Sequence, residues 1–402
     1  MGRSTDESRR AWCIAKSVAL RDLKAAIESG AATLTQTPIA DAMASYYRAK
    51  ETTLQPSTLT VYREATKPFT AWAADKGIAM MEAVTQPKLV EFQSWFVARP
   101  AQAQAKGKGV RRGARVIGKR KRSPSQLNKC IRALRTVLNE LRRAGKTPAL
   151  HSDSIKDSLR FVKWQKPLPH FVEASEIRTL LAAALRHDNS TFDFARRGKV
   201  RQASPHSRPP VAPMIAVALL SGMRFGELQH LTWEQVKADE IRLDATDTKT
   251  GHGRKIDLAP TPALSELFSR LKLQAGECPF VFGTASKDNR GRVHYAPVRR
   301  TLVEAERKRL WQEFGAPRFT WHDLRRTCGT FLCCAPSIFG AASAFLAAKR
   351  LGHSVKVSER HYLGQVKVAP DARTLEDAFG CADVFKKLCG PASASNPLAA
   401  TA

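Results

Sequence analysis

Acidic residues are scarce in this chain. Against 66 Lys and Arg it sets only 36 Asp and Glu, a formal net charge of +30 over 402 residues. A surplus of that size needs a polyanionic partner, with nucleic acid the first candidate and an anionic membrane surface the second. Long apolar runs are missing too. The longest uncharged one, Cys328 to Ala348, is broken by Gly329, Pro336 and Gly340, so it reads as two short buried helices with a turn at 334–337 and not as a membrane span. The first residues, Met1 to Glu7, have no apolar core, and a secretory signal is not expected. The eight cysteines are scattered, with no paired Cys or Cys/His spacing suited to a metal, and reduced thiols in a cytoplasmic setting are the expectation. There is no Gly-rich phosphate loop ending in Gly-Lys-Ser/Thr and no carboxylate cluster of the two-metal kind, so neither a cofactor nor a metal is expected.

What is present is ordinary globular material. Hydrophobic residues make up 43% and charged residues 25%, enough to bury real cores in two or three domains. An N-terminal helical extension is expected over 1–36, with one helix near 7–27. Helices follow near 39–50, 57–76 (kinked or split at Pro68) and 86–98. Residues 101–125 hold nine Lys/Arg, four Gly and no acid, and read as a flexible basic loop. Leu127, Ile131, Leu134, Leu138 and Leu141 then make the apolar stripe of a helix over 125–144, whose other face is basic. Residues 146–169 are punctuated by Pro148, Pro167 and Pro169 and read as a linker. A helix opens at Glu173, and 187–210 reads as a second basic, turn-rich insertion. Beyond it come an apolar helix over 211–221 and two strand-like runs, 240–248 and 254–258, joined by a hairpin turn at 250–253. The rest, 262–388, reads as mostly helical. The fold class is thus mainly α with a small antiparallel β-sheet in the larger half.

Four segments of that half carry chemistry: Ser221-Gly-Met-Arg-Phe-Gly-Glu-Leu, with Arg224 and Glu227; Thr248-Lys-Thr-Gly, with Lys249; Trp321-His-Asp-Leu-Arg-Arg, with His322 and Arg325; and Leu351-Gly-His followed by His361-Tyr-Leu-Gly, with His353 and Tyr362. Each alone is weak, since an Arg after a turn or a Lys at a hairpin is usually structural or solvated. Together, in this order and spacing, they resemble the tyrosine recombinases, the phage integrase family. The resemblance covers 165–370 through these motifs and 37–165 loosely through helix pattern. It implies a two-domain clamp on DNA: a core-binding helical domain over 37–165, a catalytic domain over 166–370, and a C-terminal helix and tail over 371–402 that docks either on its own domain or on a neighbouring protomer.

The chemistry of the residues agrees. Cutting a phosphodiester without metal needs a nucleophile, neutralisation of a phosphorane, and a proton for the leaving oxygen. A phenol with a pKa near 10 is a poor nucleophile at neutral pH, so Tyr362 needs a proton acceptor and a positive field. Arg224 and Arg325 can each give two hydrogen bonds to non-bridging oxygens. The resemblance implies that role for both, with His322 as proton acceptor, His353 as phosphate hydrogen-bond donor and Lys249 as general acid. Lys255 is the alternative to Lys249. Glu227, one helical turn from Arg224, would orient it; His361 is given no role. Candidate DNA contacts are Lys106, Lys108, Arg111, Arg112, Lys119, Arg120, Lys121 and Arg122 in the basic loop, and Lys129, Arg132 and Arg135 on the helix that follows.

The resemblance implies a site-specific recombinase or integrase working through a 3′-phosphotyrosine. Its partners would be double-stranded DNA, a homotetramer at synapsis and accessory DNA-bending proteins, with no membrane. The rival readings are a type IB topoisomerase-like enzyme, which shares the chemistry, and a recombinase-derived DNA-binding protein without catalysis.

Overall fold

The computed structural model describes residues 10, 12–14, 16–18, 20, 21, 36–98, 122–165, 170–196, 209–248, 251–288, 290–339, 343–361, 366, 368 and 371–389. Contacts divide the chain into two units, Met1–Lys166 and Pro167–Ala402, each with its own apolar core.

In the first unit the described residues past the N-terminal extension form five α-helices: α1 (Ile39–Lys50), α2 (Pro56–Asp75), α3 (Gln86–Ala98), α4 (Pro124–Arg143) and α5 (Ser152–Ser158). The α4 stripe of Leu127, Ile131, Leu134, Leu138 and Leu141 is buried throughout. Ser123 caps this helix by accepting from the Gln126 N–H, and Pro124 occupies the first helical position, where no N–H is missed. Against the stripe pack aromatic residues of α2 and α3, among them Phe69 edge-on to Phe92 with ring centroids 5.3 Å apart. Burying each such side chain contributes about 1.5–3 kcal/mol. Of the expected kink or split at Pro68, the split does not occur. Phe69 and Trp72, both fully buried just beyond it, anchor α2 in the core, and the helix runs unbroken across the proline.

The expected linker is also mostly folded. Leu150, Ile155 and Leu159 are buried in the core of the first unit. Asn128 of α4 both donates to the Val162 carbonyl at 2.9 Å and accepts from the Val162 N–H at 2.8 Å. The prolines announced a connection, but three well-spaced apolar residues outweigh them.

The second unit opens with α6 (Ala174–Arg196), α7 (Val211–Ser221) and α8 (Phe225–His230). β1 (Glu240–Leu243) and β2 (Arg254–Asp257) pair antiparallel, with Ile241 opposite Ile256. Next come α9 (Pro262–Ala275) and a second antiparallel pair, β3 (Gly283–Lys287) and β4 (Val293–Pro297). That hairpin, inside a stretch expected to be helical, has mostly small or polar residues and no alternating apolar pattern to announce it. The remaining helices are α10 (Arg300–Glu313), α11 (Trp321–Cys334), α12 (Pro336–Phe339), α13 (Ser343–Leu351), α14 (Val355–His361), α15 (Leu375–Ala378) and α16 (Ala382–Cys389). The uncharged run from Cys328 is divided among α11, α12 and α13, and no helix among the described residues is long and apolar enough to cross a membrane.

Helix α6 continues to Arg196 through what read as the start of a basic insertion, because two of those residues are core. His187 is buried; its Nδ1 lies 2.8 Å from Asp188 and its Nε2 2.8 Å from Glu306 of α10. Asp188 in turn accepts from the Val211 and Ala212 N–H groups at the start of α7. Burial alone would lower the His187 pKa, but its two carboxylate partners outweigh it and raise it to about 9. This raised pKa contributes stability that is complete below about pH 6.5 and disappears as pH climbs through about 9. A thermal unfolding series over that window should show a falling midpoint in the parent protein. The fall should be much shallower in His187→Gln, whose starting stability is lower; equal slopes would mean that the imidazole is neutral in the fold.

Residues 371–389, beyond the expected nucleophile, pack on their own unit. Leu375, Phe379, Phe385 and Leu388 are buried in its core. Arg178 of α6 grips both carboxylate oxygens of Asp383 at 2.8 and 2.9 Å and the Gly380 carbonyl at 2.7 Å.

Candidate active site

Arg224 occupies the N-cap position of α8. The turn before it needs Gly222, which sits at φ +67°, where a Cβ would lie 2.3 Å from Leu351 and 3.0 Å from the Cys328 sulfur. The chain therefore reverses tightly after α7, and Arg224 emerges beside the end of α13. Its backbone N–H donates to Glu227 at 2.7 Å, its Nη1 to the other Glu227 oxygen at 2.9 Å, and its Nη2 to the Gly352 carbonyl at 3.3 Å. The pairing of Arg224 with Glu227 expected from sequence is thus present, with the carboxylate buried and the guanidinium partly open to solvent.

Helix α11 supplies the next two groups. Thr320 and Asp323 cap each other across its first turn, fixing where the helix begins. His322 then stands exposed in that turn, and Arg325, three residues on, points along the same side into the protein. Arg325 is buried; its Nη1 donates to the Gly222 carbonyl at 2.7 Å and its Nη2 to the Leu351 carbonyl. It ties the turn before Arg224 to the turn that carries His353. Desolvation by the neighbouring protein, reinforced by Arg326, Arg325 and Arg224, holds the His322 pKa below the ordinary imidazole value and favours the neutral ring, which can take a proton.

His353 follows Gly352, which ends α13 at φ +67°. Its Nδ1 lies 3.1 Å from the Ser354 carbonyl, which can only accept, so Nδ1 carries the hydrogen. Burial and the charges of Arg325, Arg224 and Arg254 keep its pKa below the ordinary value, although the Ser354 bond opposes them. In the neutral ring Nε2 is then an acceptor. Donation from Nε2 to a phosphate requires the imidazolium, a form that an arriving anion favours.

Arg224, Glu227, His322, Arg325 and His353 therefore come together from three motifs, the second about 100 and the third about 130 residues after the first. Tyr362 and Lys249 lie outside the described residues. Tyr362 directly follows α14, which packs on α11 and α13, and Lys249 directly follows Thr248. The alternative lysine, Lys255, is exposed on β2 with its amine 3.3 Å from Glu240. Two arginines at this locality went unnoticed in the sequence. Arg254 holds Glu227 from the far side at 3.0 and 2.6 Å, and Arg350 is buried against the Leu220 and Asp257 carbonyls. No local signal marks either one, since each is a single basic residue in a basic chain.

Of the expected DNA contacts, Lys106, Lys108, Arg111, Arg112, Lys119, Arg120 and Lys121 lie outside the described residues. Arg122 stacks over Phe96, 4.5 Å from the ring centroid. Lys129 and Arg132 are exposed on α4. Arg135 lies over Phe161, with Nε and Nη2 donating to the Leu159 and Lys156 carbonyls at 2.7 Å each, so much of its donor capacity is spent inside the fold.

Residues 173–364 match the sequence profile of the phage integrase family. Among solved structures, the chain resembles a lambda integrase dimer bound to a COC′ core site, at 16% identity and a TM-score of 0.55, with 90% of each chain covered. It also resembles a lambda integrase tetramer bound to a Holliday junction, at 16% identity and 0.53, covering 90% of this chain and 88% of that one. The XerH recombinase in a pre-cleavage complex with its difH substrate is similar at 14% identity and 0.50, covering 81% and 92%. No curated protein sequence matches the chain.

Proposed function

We propose, for this member of the phage integrase family, that cleavage proceeds by attack of Tyr362 on a DNA phosphodiester. The chain is a site-specific recombinase that cuts and rejoins double-stranded DNA. The observation that carries the reading of the site is the convergence of two arginines and two histidines around the Gly222 and Gly352 turns. Arg224 and Arg325 supply fixed positive charge for the non-bridging oxygens and for the extra negative charge of the phosphorane. Neutral His322 takes the phenol proton. His353 donates to phosphate once protonated. Lys249 delivers a proton to the 5′ oxygen as it leaves, and the 3′-phosphotyrosine keeps the energy of the broken bond for rejoining. Glu227 holds Arg224 in place. Strand exchange takes place in a homotetramer on paired sites, with accessory DNA-bending proteins where the site requires them, in the cytoplasm where the DNA lies.

The test is a suicide substrate nicked beside the scissile phosphate, on which a covalent adduct should accumulate and map by peptide sequencing to Tyr362. A relaxation assay run beside a two-site recombination assay separates a recombinase from a topoisomerase-like enzyme. The basic residues of 101–122 and α4 supply phosphate affinity in this reading. Deleting 104–122 should weaken binding to all sequences alike. It should also flatten the plot of log affinity against log salt, by about 0.9 for each phosphate that the loop neutralises. An unchanged slope would leave that loop a spacer.

A further inference from the structure

Arg254 begins β2, five positions after Lys249, and the cleavage chemistry gives it no part. Each of its three guanidinium nitrogens is nonetheless bonded at the site. Nε donates to the Arg350 carbonyl at 2.9 Å, Nη1 to one Glu227 oxygen at 3.0 Å and Nη2 to the other at 2.6 Å. Its side chain is 5% exposed, against 25% for Arg224. Its stem passes directly beneath Gly352, where a Cβ would lie 2.9 Å from the Arg254 Cδ and 3.4 Å from Nε and Nη1. Gly352 is thus glycine for two reasons, its positive φ and the arginine below it.

One carboxylate shared by two arginines divides their work. A buried glutamate paired with Arg224 alone would draw that guanidinium into a two-pronged ion pair, the geometry that Arg–carboxylate pairs favour. Here both Glu227 oxygens already receive the fork of Arg254. Arg224 gives Glu227 a single side-chain bond, at 2.9 Å, and stays partly open to solvent. Burial pushes the Glu227 carboxyl up, but the bonds and charge of Arg254, followed by those of Arg224, bring it below its ordinary range. Resting on the assignment of Arg224 as a phosphate ligand, we infer that Arg254 is a positioning residue for strand cleavage: by saturating Glu227 it keeps Arg224 available to phosphate, and through the Arg350 carbonyl and Gly352 it fixes the turn that presents His353. Arg254 itself spends all three guanidinium nitrogens on protein oxygens.

The experiment compares Arg254→Gln, Arg224→Ala and the double variant Arg254→Gln/Glu227→Gln in full-length protein. Single-turnover cleavage is measured on a nicked suicide substrate, made both with an ordinary phosphodiester and with sulfur at the 5′ bridging position. DNA affinity and thermal midpoint are measured alongside. Arg254→Gln should cleave roughly 10–100-fold more slowly, with DNA affinity within about twofold of the parent. The sulfur substrate should not restore it. The double variant should cleave faster than Arg254→Gln, because a neutral amide in place of the Glu227 carboxylate no longer captures Arg224; two merely structural defects would instead compound. If Arg254→Gln fails to fold, Arg254→Lys replaces it, with one prong kept and a smaller reduction expected. Parent-like cleavage by a folded Arg254 variant overturns the inference, as does a double variant slower than the single. Rescue by sulfur also overturns it, since Arg254 would then act through Lys249 on the leaving group. Parent-like cleavage by Arg224→Ala would instead remove the underlying assignment of Arg224.

Discussion

Tyr362→Phe should abolish covalent attachment to DNA while leaving DNA binding within about twofold of the parent. The substitution removes one hydroxyl from a chain with a net charge of +30, whose affinity is spread over many phosphate contacts. Without that oxygen no phosphotyrosine can form. Removing the nucleophile of a covalent catalyst costs on the order of 10⁶ in rate where it has been measured, so adduct formation should fall below detection. The readout is the fraction of covalent complex on a nicked substrate, separated by gel, beside a mobility-shift titration of the same DNA. A persistent adduct in the Phe variant would falsify the nucleophile assignment. His361, the preceding residue, would then be the first candidate to examine, because a phosphohistidine is acid-labile and a phosphotyrosine is not.

The second large effect separates the general acid from the charge stabilisers. Lys249→Ala should slow cleavage of an ordinary phosphodiester by about 10²–10⁴, the usual worth of a positioned acid. On a substrate with sulfur in the 5′ bridging position the variant should recover to near the parent rate, because a thiolate departs without needing a proton. Arg224→Ala and Arg325→Ala should show no such recovery. Their charge acts on the phosphorane itself, at about 10²–10³ for each donor removed, whatever atom leaves. Arg325→Ala should in addition lower the thermal midpoint, because its guanidinium joins the Gly222 and Leu351 carbonyls inside the fold, whereas Arg224 is partly open. Lys255 supplies the internal control. It is exposed and lies beside Glu240, so Lys255→Ala should cleave at the parent rate on both substrates. Sulfur rescue of Lys255→Ala in place of Lys249→Ala would exchange their roles.

The sequence by itself determined the fold class, and its motifs named the residues proposed to carry the chemistry. The α4 stripe was legible because side chains three and four apart share a helix face, a local rule that needs no partner. His322, Arg325, Arg224 and His353 stood out only through the resemblance of their four motifs, taken together, to the tyrosine recombinases. Other features were beyond local rules. Helix α2 continues past Pro68 because Phe69 and Trp72 are held in a core whose other walls come from elsewhere. The basic stretch from 187 begins as buried helix because His187 meets Glu306, 119 residues away. Arg254 reads as one more positive charge until Glu227, 27 residues earlier, is found beneath it. Sequence spacing reports which side chains share a face of one element. Which buried charge meets which is decided only when distant elements pack, because a guanidinium or imidazolium removed from water must find a carboxylate or carbonyl wherever the fold supplies one. In the mechanism proposed above, that pairing distinguishes the arginine offered to the phosphate from the one that holds it in place.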